Sequence, residues 1–180
     1  MTARSQLTQE KLKSIVNYDP QTGFFTWRAN LANGFQAGER TGYLNKSRDG
    51  YYLETMVFGV RYRDNRLAFL WMTGAFPPNH VDHRNGDSQD NSLGNLRAAT
   101  SSQNAANSKL SKLNKTGFKG VSLGKHAKRF RASIKVDGKF IGLGSFDTAI
   151  EAHKAYCEAA QKFFGEFARP EHKEPAAIAA

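Results

Sequence analysis

Residues 80–107, HVDHRNGDSQDNSLGNLRAATSSQNAAN, decide how this chain is read. Asp82 and His83 open the stretch, Asn95 closes a polar loop punctuated by glycine, and Asn104 follows on a short predicted helix. A loop so rich in Asp, Asn, Ser and Gly buries little apolar surface, so side-chain bonds or a bound ion must hold it. Brought side by side, Asp82-His83 and Asn104 supply two hard oxygen ligands and a base. That set suits one magnesium ion at a phosphodiester.

Composition narrows the partner. A chain of 180 residues with 39% hydrophobic content allows one or two small domains. The formal net charge of +10 points to a polyanion, most simply nucleic acid. A membrane surface is the competing partner, but there is no lipidation motif, no amphipathic basic helix and no run of transmembrane length. The opening MTARSQLTQEKLK lacks the apolar core of a signal peptide, so a cytoplasmic protein is expected. Cys157 stands alone, which excludes a disulfide framework and a cysteine zinc site; it reads as a small packed residue of the last helix.

Upstream, the residues predict a helix over Thr8–Val16, a turn at DPQTG (Asp19–Gly23) and a strand at Phe24–Trp27. Residues Arg28–Gly42 read as an irregular connection. Tyr51–Phe58 and Val60–Arg63 then read as a hairpin turning at Gly59, and Arg66–Thr73 as a helix stopped by Gly74. Downstream, the cations Lys109, Lys112, Lys115, Lys119, Lys125, Lys128, Arg129, Arg131, Lys135 and Lys139 face a single acid, Asp137. Three strands are predicted there, at Phe118–Leu123, Arg129–Val136 and Lys139–Leu143, with Asp137-Gly138 as a type I′ turn. In the second strand Phe130, Ala132, Ile134 and Val136 share one face, and Arg129, Arg131, Ser133 and Lys135 share the other. Thr148 and Glu151 form a capping box opening a helix to about Phe164, with Gly165 as its stop. Ile150, Ala152, Ala155, Tyr156, Ala159, Ala160 and Phe163 are its expected apolar side.

Two family resemblances follow from these residues. Arg66–Asn107 resembles the HNH endonucleases of phage and intron-associated homing enzymes, through RLAFLWMTG, the VDHRNGD core, Asp90-Asn91, the NLR at Asn95–Arg97, and Asn104 with Asn107. The leader DPQTGFFTW resembles that family as well. Residues Thr116–Pro170 resemble the Apetala-type DNA-binding domain of plant ethylene-response factors, through TGFKGV, FRASIKVDGKFIGLGSFDT and EAHKAYCEAAQKFFGEFARP. The implied fold class is α+β: a ββα-metal nuclease module, then a three-stranded antiparallel sheet packed on one helix. The implied domains are a leader plus nuclease over 1–108, a basic linker over 109–116, a DNA-binding domain over 117–170 and a flexible tail over 171–180.

The resemblance also implies roles. Asp82 and Asn104 would hold one Mg2+ or Mn2+ ion, His83 would be the general base, and Asn95 would hold the loop and orient the His83 ring. Asn65 stands where the family usually has histidine. It reads either as a helix cap or as a change that weakens activity. Ser122 and Gly142 replace an arginine and a tryptophan common in the plant domains, so the plant target sequence does not carry over. Arg129 and Arg131 are expected to read base edges, and Lys119, Lys125, Lys135 and Lys139 to contact phosphates. The expected partner is double-stranded DNA, bound by a monomer or weak dimer that nicks one strand. If the chain is phage-encoded, the setting is the bacterial host cell. A DNA-binding protein that does not cleave is the alternative. An RNA-binding protein would want an exposed aromatic-rich sheet that these residues do not offer.

Simpler structural readings apply to the remaining polar residues. Asn85-Gly86-Asp87 and Asp90-Asn91 read as turn formers, Asn107 as a cap, His80 as a surface residue, and His126, His153 and His172 as solvent-facing.

Overall fold

The computed structural model describes residues 7–32, 34–47, 50–124 and 129–169. Contacts divide the chain into two compact units, Met1–Ala98 and Ala99–Ala180. The division falls ahead of the 108/109 boundary that the family resemblance implies. Lys125, His126, Lys128, His172 and the 171–180 tail lie outside the described residues.

In the first unit, helix α1 (Gln9–Ile15) begins at Thr8, whose hydroxyl accepts from Lys11 N at 3.3 Å. Val16, expected to end the helix, is already extended and opens β1 (Val16–Tyr18), which pairs antiparallel with β2 (Phe25–Trp27) across the Asp19–Gly23 turn. The expected hairpin is a three-stranded sheet. A strand not anticipated from sequence, β3 (Tyr43–Ser47), pairs with β4 (Gly50–Val57), and β4 pairs with β5 (Val60–Arg63). Burial along β3 is weak and irregular, so no alternation announces it.

Helix α2 (Asp64–Thr73) follows without a break and ends on Gly74, whose φ of 81° is the left-handed C-cap conformation. Asn65 does not cap this helix: the cap position is Arg63, and Asn65 lies inside the first turn. Leu12, Val16, Phe25, Val57, Leu67 and Leu70 form the core, with Val81 and Leu96 joining it from β6 (His80–His83) and β7 (Leu96–Ala99). Strands β6 and β7 make a separate two-stranded sheet, so the buried face of β6 is anchored in the core.

The second unit holds α3 (Ser101–Ala106), β8 (Val121–Leu123), β9 (Phe130–Val136), β10 (Lys139–Phe146) and α4 (Ala149–Phe164). The strands form an antiparallel sheet in the order β10-β9-β8. Asp137 and Gly138, at φ 47° and 82°, make the left-handed pair a type I′ turn requires. Ala132 and Ile134 face α4, while Arg131 and Lys135 are exposed. Both halves of the Thr148–Glu151 capping box form. Gly120 is needed where it stands, because a Cβ there would lie 2.0 Å from the Tyr156 ring.

The buried side of α4 differs from expectation. Ala152, His153, Tyr156, Ala160 and Phe164 are buried, whereas Ile150 is 70% and Phe163 43% exposed. At 100° per residue, Ile150 is turned about 120° from Tyr156 and misses the sheet. His153 is not solvent-facing: its ring lies 5.2 Å from Phe118 and 6.0 Å from Tyr156, centroid to centroid. Its Nδ1 donates to Lys119 O at 3.1 Å, leaving Nε2 to accept from the Cys157 thiol at 3.4 Å.

Candidate active site

Strand β6 delivers Asp82 and His83 as neighbours, 4% and 7% exposed. Asp82 meets Arg97 from β7: Nε and Nη2 both reach Asp82 Oδ2 at 2.8 Å. A carboxylate this buried needs such a partner, because an unpaired buried charge is costly. His83 Nε2 lies 3.1 Å from Asn91 Oδ1. An amide oxygen only accepts, so Nε2 carries the proton of the neutral ring and the basic lone pair is at Nδ1. Burial holds the His83 pKa below its ordinary 6.5, against the Asn91 bond and the charges of Asp82, Asp87 and Asp90, which raise it. Desolvation wins, and the ring is neutral at physiological pH.

The loop between the strands is held by its own side chains. Asn95 Oδ1 accepts from Asn85 N at 2.9 Å, and its Nδ2 donates to Asp90 O at 2.7 Å. Asp90 takes Ser92 N and Oγ on one oxygen and Asn85 Nδ2 on the other. These bonds, the Ser92 side chain first, hold the Asp90 pKa below the usual carboxylate range. Asn95 bonds within the loop, and the amide bonded to the His83 ring belongs to Asn91. Asn91 has the same residue chemistry as any turn former, so sequence could not separate the two jobs. Arg97 was legible only as part of an NLR run.

Asn65 is buried beneath this strand: its Nδ2 donates to Val81 O at 3.3 Å, and its Oδ1 has no partner among the described residues. His80 is exposed. Asn104 lies half-buried on α3 in the second unit, and Asn107 is the C-cap of that helix.

The expected DNA-binding cations divide. Arg131, Lys135 and Lys139 are exposed, and Lys135 Nζ sits 5.3 Å over the ring of Phe140, itself 74% exposed. Arg129 is half-exposed, donating to Ser145 O at 3.1 Å and pairing with Asp147 at 3.1 Å. Lys119 is engaged within its own unit: its Nζ donates to the carbonyls of Ala106, Ser108 and Arg169 at 2.6, 2.5 and 3.2 Å. Three inward carbonyls make it a structural staple.

Residues 65–106 match the HNH endonuclease family. Protein 3.8 of Escherichia phage T7 is 31% identical over 90 residues, which cover 50% of this chain and 74% of that protein. The chain belongs to the same family as Protein 3.8 and carries an HNH endonuclease segment. The uncharacterized HNH endonuclease L560 of Acanthamoeba polyphaga mimivirus is 32% identical over 129 residues, covering 71% of this chain and 65% of that protein. No solved structure matches. The HNH segment thus runs from Asn65 to Ala106, spanning α2, β6, β7 and α3.

HNH nucleases generally use a divalent metal ion. Among the described residues no three His, Cys, Asp or Glu gather as a metal cage. Asp82 is the carboxylate that β6 supplies, and both Arg97 contacts fall on a single one of its oxygens. A carboxylate is the donor type that suits a hard ion keeping water and phosphate in its shell. No helix among the described residues is long and apolar enough to cross a membrane.

Proposed function

We propose that this chain is a metal-dependent HNH endonuclease that hydrolyses a phosphodiester bond of double-stranded DNA, nicking one strand, as a phage or mobile-element homing enzyme does. The observation that carries this reading is His83: buried, neutral and bonded through Nε2, beside an Asp82 held at 2.8 Å within the HNH segment. His83 takes a proton from the attacking water at Nδ1, and Asn91 stabilises the resulting imidazolium through Nε2–H. Asp82 would be a ligand of Mg2+ or Mn2+. Bound there, the ion supplies positive charge to the phosphate and the leaving 3′ oxygen. Arg97 keeps Asp82 in place.

The sheet β8–β10 acts as an Apetala-type DNA-binding face. Arg129 and Arg131 meet base edges while Lys135 and Lys139 meet phosphates, and Phe140 adds an apolar surface beside them.

Supercoiled plasmid incubated with Mg2+ is expected to yield nicked circles, and chelator or His83→Ala to abolish them. Two observations favour the non-cleaving alternative: Asn65 in place of histidine, and the occupation of Asp82 by Arg97. Tight DNA binding with no nick in Mg2+ or Mn2+, in the native chain and in Asn65→His alike, would establish that alternative.

A further inference from the structure

The HNH match begins at residue 65, yet the loop facing His83 is built against residues far upstream. Tyr18, the last residue of β1, donates its hydroxyl to Asn91 O at 2.7 Å, across 73 positions of sequence. Leu93 N donates to Pro20 O at 2.8 Å. Between these two bonds lies Gly23, at φ 75°. A Cβ there would stand 2.3 Å from the Asn91 carbonyl carbon and 2.4 Å from Ser92 N. One turn therefore touches three successive residues of the loop.

The turn is itself firm. Asp19 accepts from Gln21 N at 2.9 Å and Thr22 Oγ1 at 2.8 Å, and Gly23 N donates to Asp19 O at 2.8 Å. The Tyr18 ring packs on Phe25, centroids 4.8 Å apart. Burial pushes the Tyr18 pKa up to about 12, so the hydroxyl stays a donor at working pH.

Asn91 needs this support. Its side chain is fully buried, and its Nδ2 has no partner among the described residues. The amide is oriented by its bond to His83 and by whatever fixes its backbone. We propose that the Tyr18–Gly23 turn is a positioning element for His83, acting through the backbone of Asn91 and lying outside the HNH match. Its catalytic consequence rests on the endonuclease reading; its hold on the ring does not. A shift of Asn91 by a few tenths of an ångström weakens the bond from Nε2–H, so the other tautomer is populated and the lone pair leaves Nδ1.

Tyr18→Phe keeps the ring and removes the hydroxyl; Gly23→Ala drives a methyl into the Asn91 backbone. In the full chain with nitrogen-labelled histidine, the native His83 ring is expected as the single Nε2–H tautomer, assigned by its loss in His83→Gln. Both variants should show mixed tautomers. Their kcat for nicking should fall about tenfold with KM within about twofold, a loss confined to the chemical step. Gly23→Ala is dispensable if it fails to fold, because Tyr18→Phe asks the same question. A folded Tyr18→Phe with native His83 resonances overturns the proposal. If the native chain nicks no DNA, a shifted His83 spectrum in Tyr18→Phe still upholds the hold while the endonuclease reading falls.

Discussion

Arg97 shows how one side chain can hold a buried carboxylate, Asp82, in place. Removing the guanidinium takes a charged partner at 2.8 Å from a carboxylate that is 4% exposed. Arg97→Ala is therefore expected to destabilise the chain by about 3–5 kcal/mol, read from urea unfolding, with Arg97→Lys recovering only part because lysine lacks the fork. His83 gives a pH signature. Its folded pKa lies below the 6.5 of the unfolded chain, so the unfolded chain binds more protons in the window beneath 6.5. Stability from this group is present above 6.5 and lost as pH falls, and the proposed cleavage needs the neutral base. The native chain should lose urea resistance below pH 6.5 more steeply than His83→Gln, and its nicking rate should fall on a limb centred below 6.5. Asp82, His83 and Asn95 stood out in the sequence because their residue types and spacing are those of a family; the contacts of Asn91 and His153 did not, because burial and partner decide them.

At the level of elements, the junction between β4 and α2 buries Asp64 at 2% exposure. Desolvation raises its pKa to about 6, against hydrogen bonding from Thr55 and the charge of Arg40, with Glu54 adding to the rise. Its folded pKa exceeds the unfolded 3.8, so the folded chain keeps the proton longer. That stability is present below 3.8 and lost as pH rises through about 6. Asp64→Asn should escape the loss. Between acidic and neutral pH its unfolding free energy is expected to gain about 3 kcal/mol on the native chain, order of magnitude, in paired urea titrations. In the second unit Lys119 gathers three carbonyls, so Lys119→Met should lower stability by about 1–3 kcal/mol and leave the salt dependence of DNA binding unchanged. The strongly punctuated elements, α1, α2, the Asp137-Gly138 hairpin and α4, were legible from caps and turn residues. Strand β3 was not, because its partners on β4 define it.

Across the whole molecule, if the proposed DNA-binding face is right, the net charge of +10 and the exposed Arg131, Lys135 and Lys139 make affinity for DNA an ion-release process. Lys135→Ala should weaken binding on all sequences and flatten the plot of log affinity against log salt by about one phosphate's worth. Arg131→Ala should instead relax sequence preference, as measured by competition between duplexes. If neither change alters affinity, the sheet face is not the DNA surface.

The sequence by itself determined what local chemistry specifies. The Asp137-Gly138 turn needs left-handed backbone, Thr148 and Glu151 cap one another three residues apart, and β9 alternates because strands do. Only the tertiary structure decided which polar group meets which. Asp82 finds Arg97 across 15 positions, His153 finds Lys119 across 34 and Tyr18 finds Asn91 across 73. Polar side chains carry no periodicity that names a distant partner. Their roles appear only when chain closure strips away water and leaves each buried donor facing a particular acceptor.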